Sequence, residues 1–489
     1  MMLDETRIDA IVQQVMDELQ QGERVRHGPL PEPKDPVQPP PPAPVLRHGD
    51  NLFPDVDSAV VAARLAYKQL SELPLSIREQ MIQHIRRVMR ENAQLLAYEA
   101  WQETGMGRYE DKIDKNLVNA NKAPGTESLD PTAWSGDGGL TLVEYAPYGL
   151  IGAIIPSTNP TSSVICNAIS MVAAGNAIVF NAHPGARACS NHAVQLIHEA
   201  IVEAGGPPNL VCALAEPTIE TAQQLMKHKD VNLLTVTGGI GVVREALKSG
   251  KRAICAGPGN PPTVVDETAD IEQAGRDIVR GASFDNNIIC TDEKEIFVVT
   301  SVADALKRAM CSNGAYEIDL QQLDLLMKSI FTEIPPPGKH GAMNKAFIGK
   351  NANVLLKEIG VEVGDEIRLI IVEVPHDHPL VPSEQMMPIM PIVRVRDANE
   401  GIDLAKHYEH GFRHTATMHS KNLDNLSRMA REMDCSIFVK NGPSFAGVGF
   451  GGEGFCSYTI ASPTGEGITN PISFSRVRRC VLKDSFRIV

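Results

Sequence analysis

Four short apolar runs, each bounded by turn residues and separated by helical patterns, constrain the fold of this chain more than any other feature. Gly149-Leu-Ile-Gly-Ala-Ile-Ile-Pro156, Asn176-Ala-Ile-Val-Phe-Asn181, Leu210-Val-Cys-Ala-Leu214 and Leu233-Leu-Thr-Val-Thr237 read as buried strands. Between them lie helix-spaced apolar residues, clearest at Val194, Ile197 and Ile201. Strands alternating with helices in this way predict βαβ units, and so an α/β fold with a doubly wound parallel sheet. Ligands of such sheets bind beyond the carboxyl ends of the strands. The segments there are Pro156-Ser-Thr-Asn-Pro160, Asn181-Ala-His-Pro184 and Thr237-Gly-Gly239. Upstream, residues 56 to 104 read as helical, with Val60, Ala63, Leu65, Leu70, Ile77, Met81, Ile85 and Val88 supplying apolar faces. A second half begins near residue 263, again mixing helix and strand, and closes with the glycine-rich Gly447-Val-Gly-Phe-Gly-Gly-Glu-Gly454.

The N-terminus stands apart. Ile8, Ile11, Val12, Val15, Met16 and Leu19 share one helical face, and Asp4, Glu5, Asp9, Asp17 and Glu18 lie on the other. A transit peptide is Arg-rich and poor in acids, so this segment is not one. Residues 22–47 are rich in proline, up to Pro39-Pro-Pro-Pro42, and such segments extend at about 3 Å per residue as semi-rigid spacers. The reading is an amphipathic helix over residues 1–21, held off the body on a stalk; a helix folded back on its own domain is the alternative.

A formal charge of −14 excludes the basic footprint that nucleic acids and anionic membranes require. No apolar run reaches a membrane span, and no secretory leader is expected. The nine cysteines contain no CxxC pair, which points to reduced thiols in a cytoplasm and to no metal site.

Cys290 is the cysteine in a chemically informative setting. A helical segment, roughly Ile271 to Ser283, runs into Phe284-Asp-Asn-Asn-Ile-Ile-Cys290, and the strand Glu295–Val299 follows. A thiol at such a hinge is placed to face a cleft, where its local environment decides its reactivity; the alternative is a buried structural cysteine. Asn286 and Asn287 read as turn formers. Thr237-Gly238-Gly239, after a strand and opening a helix, allows a pyrophosphate to approach a helix N-terminus, although it is not the GxGxxG fingerprint. Ala256-Gly257-Pro258-Gly259-Asn260 is a second glycine turn.

Taken in order, Ile155-Pro-Ser-Thr-Asn-Pro160, Ala182-His-Pro184, Thr237-Gly-Gly239, Gly257-Pro-Gly259, Phe284 to Cys290 and Ser383-Glu384-Gln-Met-Met-Pro388 resemble the aldehyde dehydrogenase superfamily. Glu103-Thr-Gly-Met-Gly107, Arg413-His-Thr-Ala416, Gly449-Phe-Gly-Gly-Glu-Gly454, Ser462-Pro-Thr-Gly-Glu-Gly467 and Arg478-Arg-Cys-Val-Leu482 are similar to the CoA-acylating enzymes of bacterial microcompartments. The resemblance runs from about residue 50 to 489, and the N-terminal helix and stalk resemble the encapsulation peptides of such enzymes.

The resemblance implies an aldehyde dehydrogenase-like fold: a cofactor domain over 48–138 and 150–262, a catalytic domain over 263–456, and oligomerisation segments at 139–149 and 457–489. It implies NAD as cofactor and coenzyme A as co-substrate, a short-chain aldehyde as substrate, and a homo-oligomer, dimer or tetramer. It also implies a cytoplasmic enzyme inside a microcompartment, docked to shell or cargo proteins through residues 1–21. Cys290 corresponds to the nucleophile. Its oxyanion donors are the Cys290 backbone N–H and the side chain of Asn159 or Thr158. His414 is the candidate for proton transfer. Thr158, His183, Pro184, Thr237, Gly238, Gly239, Gly257, Gly259 and Glu384 are the cofactor positions, with Glu384 on the nicotinamide ribose. Two departures matter. His183 stands where the family has a lysine near the adenosine ribose, which leaves the choice between NAD and NADP open. Hydrolytic members carry a glutamate just before the glycine turn; here Ile254-Cys255-Ala256-Gly257-Pro258 has no carboxylate. Water attacking a thioester needs a base, whereas a CoA thiol is a far better nucleophile at neutral pH. The missing base therefore points to thiolysis. The rival readings are a hydrolytic dehydrogenase, a non-catalytic scaffold on this fold, and a cysteine acyltransferase without redox chemistry.

Overall fold

The computed structural model describes residues 51–489. The amphipathic helix expected over 1–21 and the whole 22–47 stalk lie outside the described residues. The segment from 56 to 104 is three helices, Val56–Glu72, Leu75–Glu91 and Ala93–Thr104. The first break falls at Leu73-Pro74, where proline removes a backbone donor. The second falls at Asn92, and Gly105 ends the third helix in the left-handed conformation that glycine adopts freely. Leu65, expected on the apolar face, points outward and is 60% exposed; Ala59, Ala63 and Ala66 make the contact with the core. Small residues there let the helix approach the sheet closely.

The four expected strands form, as Leu150–Ile154, Ala177–Asn181, Val211–Leu214 and Leu233–Thr237. With Leu52–Phe53 and Arg252–Ala256 they make a six-stranded parallel sheet. Leu150–Ile154 lies between Ala177–Asn181 and Leu233–Thr237, so the strand order turns back there. The crevice beyond the carboxyl ends of Leu150–Ile154 and Leu233–Thr237 is thus the topological switch point, the usual ligand position of open α/β sheets.

A second parallel sheet has seven strands, ordered Ala315–Glu317, Leu369–Glu373, Ile389–Val395, Glu295–Val299, Pro262–Val265, Thr415–His419 and Ile437–Lys440. Alternate residues feed two separate cores. Phe297, Val299, Ile370 and Val372 pack on one face, while Ile296, Val298, Leu369 and Ile371 pack on the other. A third, antiparallel sheet joins Ser475–Lys483, Gly139–Pro147 and Thr132–Gly136, and Trp134, Val477 and Val481 lie exposed on it.

The connection that matters for function is the turn after Ala256. Arg252–Ala256 ends at the carboxyl edge of the first sheet, and Pro262–Val265 begins at the amino edge of the second. Gly257-Pro-Gly-Asn-Pro261 bridges the two edges. Among the described residues no helix is long and apolar enough to cross a membrane.

Candidate active site

The helix Ile271–Ser283 starts on Asp270, whose carboxylate accepts the Gln273 N–H, and stops at Phe284. Three successive non-glycine residues then take positive φ: Asp285 at 46°, Asn286 at 57° and Asn287 at 65°. Each such residue costs about 1–3 kcal/mol and persists only where its surroundings over-determine it. They do so here. The Asp285 carboxylate accepts the Arg108 N–H at 2.7 Å, Lys112 Nζ at 3.0 Å and Lys115 Nζ at 2.6 Å. Burial alone would raise the Asp285 carboxyl, but the two lysines outweigh it and hold it below the usual carboxylate range. Asn286 Nδ2 donates to the Gly349 carbonyl at 2.8 Å, and Asn287 Nδ2 to the carbonyls of Ala282 and Glu293 at 2.7 and 2.9 Å. Gly107 faces this knot closely: a Cβ there would sit 1.9 Å from Asp285 Oδ1.

That run delivers Cys290, a half-buried free thiol, to the amino edge of the second sheet. Burial pushes the thiol up to about 12; Glu384 and Asp292 push the same way and Lys294 opposes them. Gly259, from the bridging turn, packs against it. A Cβ on Gly259 would lie 2.7 Å from the Cys290 carbonyl oxygen and 3.1 Å from His414 Cγ, so only glycine lets these three approach. The Gly259 N–H donates to Glu384, whose carboxyl is raised by burial against the pull of Lys294. His414 is buried. Its Nδ1 is 2.8 Å from Thr415 Oγ1, its backbone N–H donates to Glu409 at 2.9 Å, and its Nε2 has no hydrogen-bond partner among the described residues. Burial, then Lys294, pulls the ring down to about 4, so His414 is neutral at ordinary pH. The geometry therefore brings Gly259, Cys290, Glu384 and His414 together.

The remaining expected positions sit at the carboxyl edge of the first sheet. Thr158 and Asn159 precede the helix Pro160–Ala173 and form one pair, Asn159 Nδ2 donating to Thr158 Oγ1 at 3.1 Å. Buried Asn159 Oδ1 has no partner among the described residues. Lys115 ties this pair to the cysteine run, since its Nζ lies 3.4 Å from the Thr158 carbonyl as well as on Asp285. His183 and Pro184 are exposed after Ala177–Asn181, with His183 Nδ1 accepting the Gly185 N–H at 3.1 Å. Burial of part of its ring, then Lys345, lowers the His183 pKa. Thr237 Oγ1 is 3.4 Å from Thr459 Oγ1, and Gly239 is the N-terminal cap of the helix Ile240–Lys248 with no side chain capping it. Nothing lies within 4 Å of a Cβ placed on Gly239. Gly257 packs under Pro463.

The chain is similar to known proteins over most of its length. The model of the aldehyde dehydrogenase family matches residues 46–318. The acetylating acetaldehyde dehydrogenase EutE of Salmonella typhimurium is 48% identical over 443 residues, 90% of this chain and 94% of that protein. The chain belongs to the aldehyde dehydrogenase family. Among solved structures, the Rhodopseudomonas palustris propionaldehyde dehydrogenase with bound propionyl-CoA matches this dehydrogenase at 47% identity and a TM-score of 0.86, over 89% of this chain and 96% of that one. A propionaldehyde dehydrogenase from the Clostridium phytofermentans fucose utilisation bacterial microcompartment matches at 46% identity and a TM-score of 0.87, over 90% of this chain and all of that one (100%).

Several residues that shape the dehydrogenase's site escape the sequence reading. Lys112, Lys115 and Asp285 form a fully buried ion cluster. The i, i+3 spacing of the lysines is its only trace, and charges at that spacing usually mark a solvated face. Thr291-Asp292-Glu293-Lys294 looks like a polar loop yet has no exposure at all. Glu103, in the Glu-Thr-Gly-Met-Gly motif, accepts the N–H groups of Ala188 and Cys189 at 2.8 Å each and so caps the start of the helix Arg187–Glu203.

Proposed function

We propose that this enzyme oxidises a short-chain aldehyde with NAD and passes the acyl group from Cys290 to coenzyme A. The observation that carries the reading is the site's composition. A half-buried cysteine and a neutral histidine meet at Gly259, and the strand end leading there, Ile254-Cys255-Ala256, has no carboxylate to activate water. The cofactor edge suits a dinucleotide, because Gly239 leaves the first turn of a helix uncapped and open to a pyrophosphate.

The Cys290 thiolate adds to the aldehyde carbonyl, and the oxyanion that forms takes the Cys290 backbone N–H and the Thr158–Asn159 pair as donors. NAD held at the first sheet's carboxyl edge would supply the hydride acceptor needed to oxidise the thiohemiacetal on Cys290. His414, uncharged at neutral pH, accepts the proton of the CoA thiol as that thiol attacks. Glu384, at the Gly259 turn, is the residue for the nicotinamide ribose, and His183 and Pro184 line the adenosine end.

The test is a burst experiment. Without CoA the enzyme releases one NADH per active site and stalls; with CoA it turns over. Cys290→Ser gives neither phase yet still binds NAD, since a hydroxyl offers no thiolate. Sustained turnover without CoA, or a Cys290→Ser variant within a few fold of wild type, overturns the reading.

Residues 1–21 dock the enzyme to a microcompartment shell or cargo protein inside a bacterial cytoplasm, with Ile8, Ile11, Val12, Val15 and Leu19 as the apolar anchors of a helix-in-groove contact. Segments 139–149 and 457–489 build a homo-oligomer, dimer or tetramer, by covering the exposed Trp134, Val477 and Val481. Deleting residues 1–45 leaves kinetics unchanged and abolishes co-purification with shells; shell entry by the truncated enzyme refutes the docking role.

A further inference from the structure

Between Cys290 and the strand Glu295–Val299 the chain places Thr291, Asp292, Glu293 and Lys294 in the interior, all without solvent exposure. A buried ammonium ordinarily sits on a carboxylate. Lys294 does not. Its Nζ donates to the Asn287 carbonyl at 2.7 Å, to Asn287 Oδ1 at 2.5 Å and to the Ile289 carbonyl at 3.3 Å, three neutral acceptors. All three lie between Asn287, the last residue of the left-handed run, and Cys290. The ammonium thus closes that turn without spending its charge on a direct ionic partner.

Burial lowers the Lys294 pKa, and Asp292, Glu384, Cys290 and Glu293 work to raise it again; Glu295 and His414 face the same ammonium. Burial pushes Glu293 up to about 7, while Ser444 donates to it from its backbone N–H and hydroxyl at 2.8 Å each. Burial also holds Asp292 well above the carboxylate range, with its Oδ2 accepting the Ile289 N–H at 3.1 Å. Near neutral pH Asp292 therefore cancels little of the Lys294 field, while Glu293 cancels more of it as the pH rises through about 7. That field falls on Cys290, where Glu384 and Asp292 oppose it, and on His414, where no other charge is resolved.

We propose that Lys294 is the positioning residue of the nucleophile: its ammonium folds the Asn287–Cys290 turn and turns one positive field on both Cys290 and His414. The proposal rests on Cys290 being the nucleophile. The effect on the thiol suits the first half of the reaction, because a nearby cation favours the thiolate that attacks; on His414 the same cation keeps the ring neutral while weakening it as a base. Removing the charge raises the thiol and the ring together. A lysine that only packs would not couple them.

The test compares wild type, Lys294→Met and Lys294→Gln, the last keeping N–H donors without charge. Alkylation of Cys290 by iodoacetamide is followed from pH 7 to 9.5 on the cofactor-free enzyme, with Cys290→Ser as the background. Both variants should react at least about tenfold more slowly at any pH in this range, the equivalent of one pKa unit. The acid limb of thioester transfer to CoA should move to higher pH in the same variants, with the KM for aldehyde nearly unchanged. Thermal unfolding checks the fold. Alkylation within twofold of wild type in either folded variant overturns the proposal. So does failure of both to fold, which would assign Lys294 to stability alone. If alkylating Cys290 in wild type leaves acyl-CoA formation intact, the nucleophile assignment itself fails, a separate result.

Discussion

The site is built from two edges that solve different problems. The carboxyl edge of the first sheet ends in short, open turns: exposed His183 and Pro184, and Gly239 with nothing near it. The amino edge of the second sheet is closed and strained, with Asp285, Asn286 and Asn287 left-handed and Lys115, Asp292 and Lys294 wholly buried around Cys290. A cofactor that must come and go needs an accessible edge whose backbone N–H groups are free. A nucleophile needs a fixed position and a set charge, and burial supplies both at the cost of backbone strain. Parallel sheets place ligands at carboxyl ends, and the cofactor positions proposed for the first sheet lie there. The second sheet offers its amino end because the Gly257–Pro261 turn crosses directly from one edge to the other.

The largest expected effect comes from pressing on the closed edge. Gly107 has φ of +75°, and a Cβ there would meet Asp285 Oδ1 at 1.9 Å and Lys112 Nζ at 2.9 Å. Gly107→Ala should therefore push Asp285 off its lysines, lower stability by about 2–5 kcal/mol and reduce acyl-CoA formation at least about a hundredfold. Thermal unfolding and steady-state kinetics measure both. An active variant with an unchanged melting temperature would mean that the ion knot does not hold the cysteine.

The contrast between the edges also explains what was legible beforehand. Strands bounded by turn residues announced the first sheet, and Thr237-Gly-Gly239 announced the turn from a strand into the helix Ile240–Lys248, because turn chemistry is local. The helix from Ile271 to Ser283 and the strand Glu295–Val299 were visible for the same reason. Lys115 was not, because its burial depends on partners far apart in the chain: Thr158 and Asp285 are 43 and 170 positions away. Lys294 was not, although Asn287 and Ile289 are only 7 and 5 positions away, because a charged run after a turn reads as a solvated loop. Asn286 and Asn287 read as turn formers, which is true of their backbones but silent on the buried amides that clamp the run. Leu65 failed differently. Helical spacing put it on the apolar face, but its neighbours Ala63 and Ala66 mark the true contact.

A second, smaller effect separates the edges by pH. Burial holds His414 near pKa 4, below the ordinary histidine value of about 6.5. The neutral ring is thus the working form from about pH 5 upward, and protonation removes it only as the pH falls toward 4. By linkage, its contribution to stability is present above about 6.5 and is lost as the pH falls through that window. His414→Ala should slow thioester transfer to CoA by about a hundredfold. The ratio of wild-type to variant rates, which cancels the ionisation of CoA itself, should be flat between pH 5.5 and 8 in single-turnover measurements. A break in that ratio near 6.5 would show a solvated ring and a more open second edge than the geometry describes.

The smallest effect belongs to the open edge. Gly239 has φ of −65° and ψ of 170°, a conformation any residue adopts, and a Cβ there meets nothing within 4 Å. Gly239→Ala should therefore fold normally. Replacing glycine by alanine at a helix cap costs only about a few tenths to one kcal/mol, so the melting temperature should move little. The methyl group would nonetheless stand in front of the uncapped first turn of the helix Ile240–Lys248, where a pyrophosphate has to approach the backbone N–H groups. The KM for NAD should rise several-fold while the burst amplitude at saturating NAD and the alkylation rate of Cys290 stay at wild-type values. Those two readouts belong to the closed edge, and their constancy is what makes the comparison between edges testable. If Gly239→Ala changes cysteine reactivity as well, the edges are mechanically coupled and the division of labour between them is wrong; if it changes neither KM nor reactivity, the pyrophosphate lies elsewhere along the switch-point crevice.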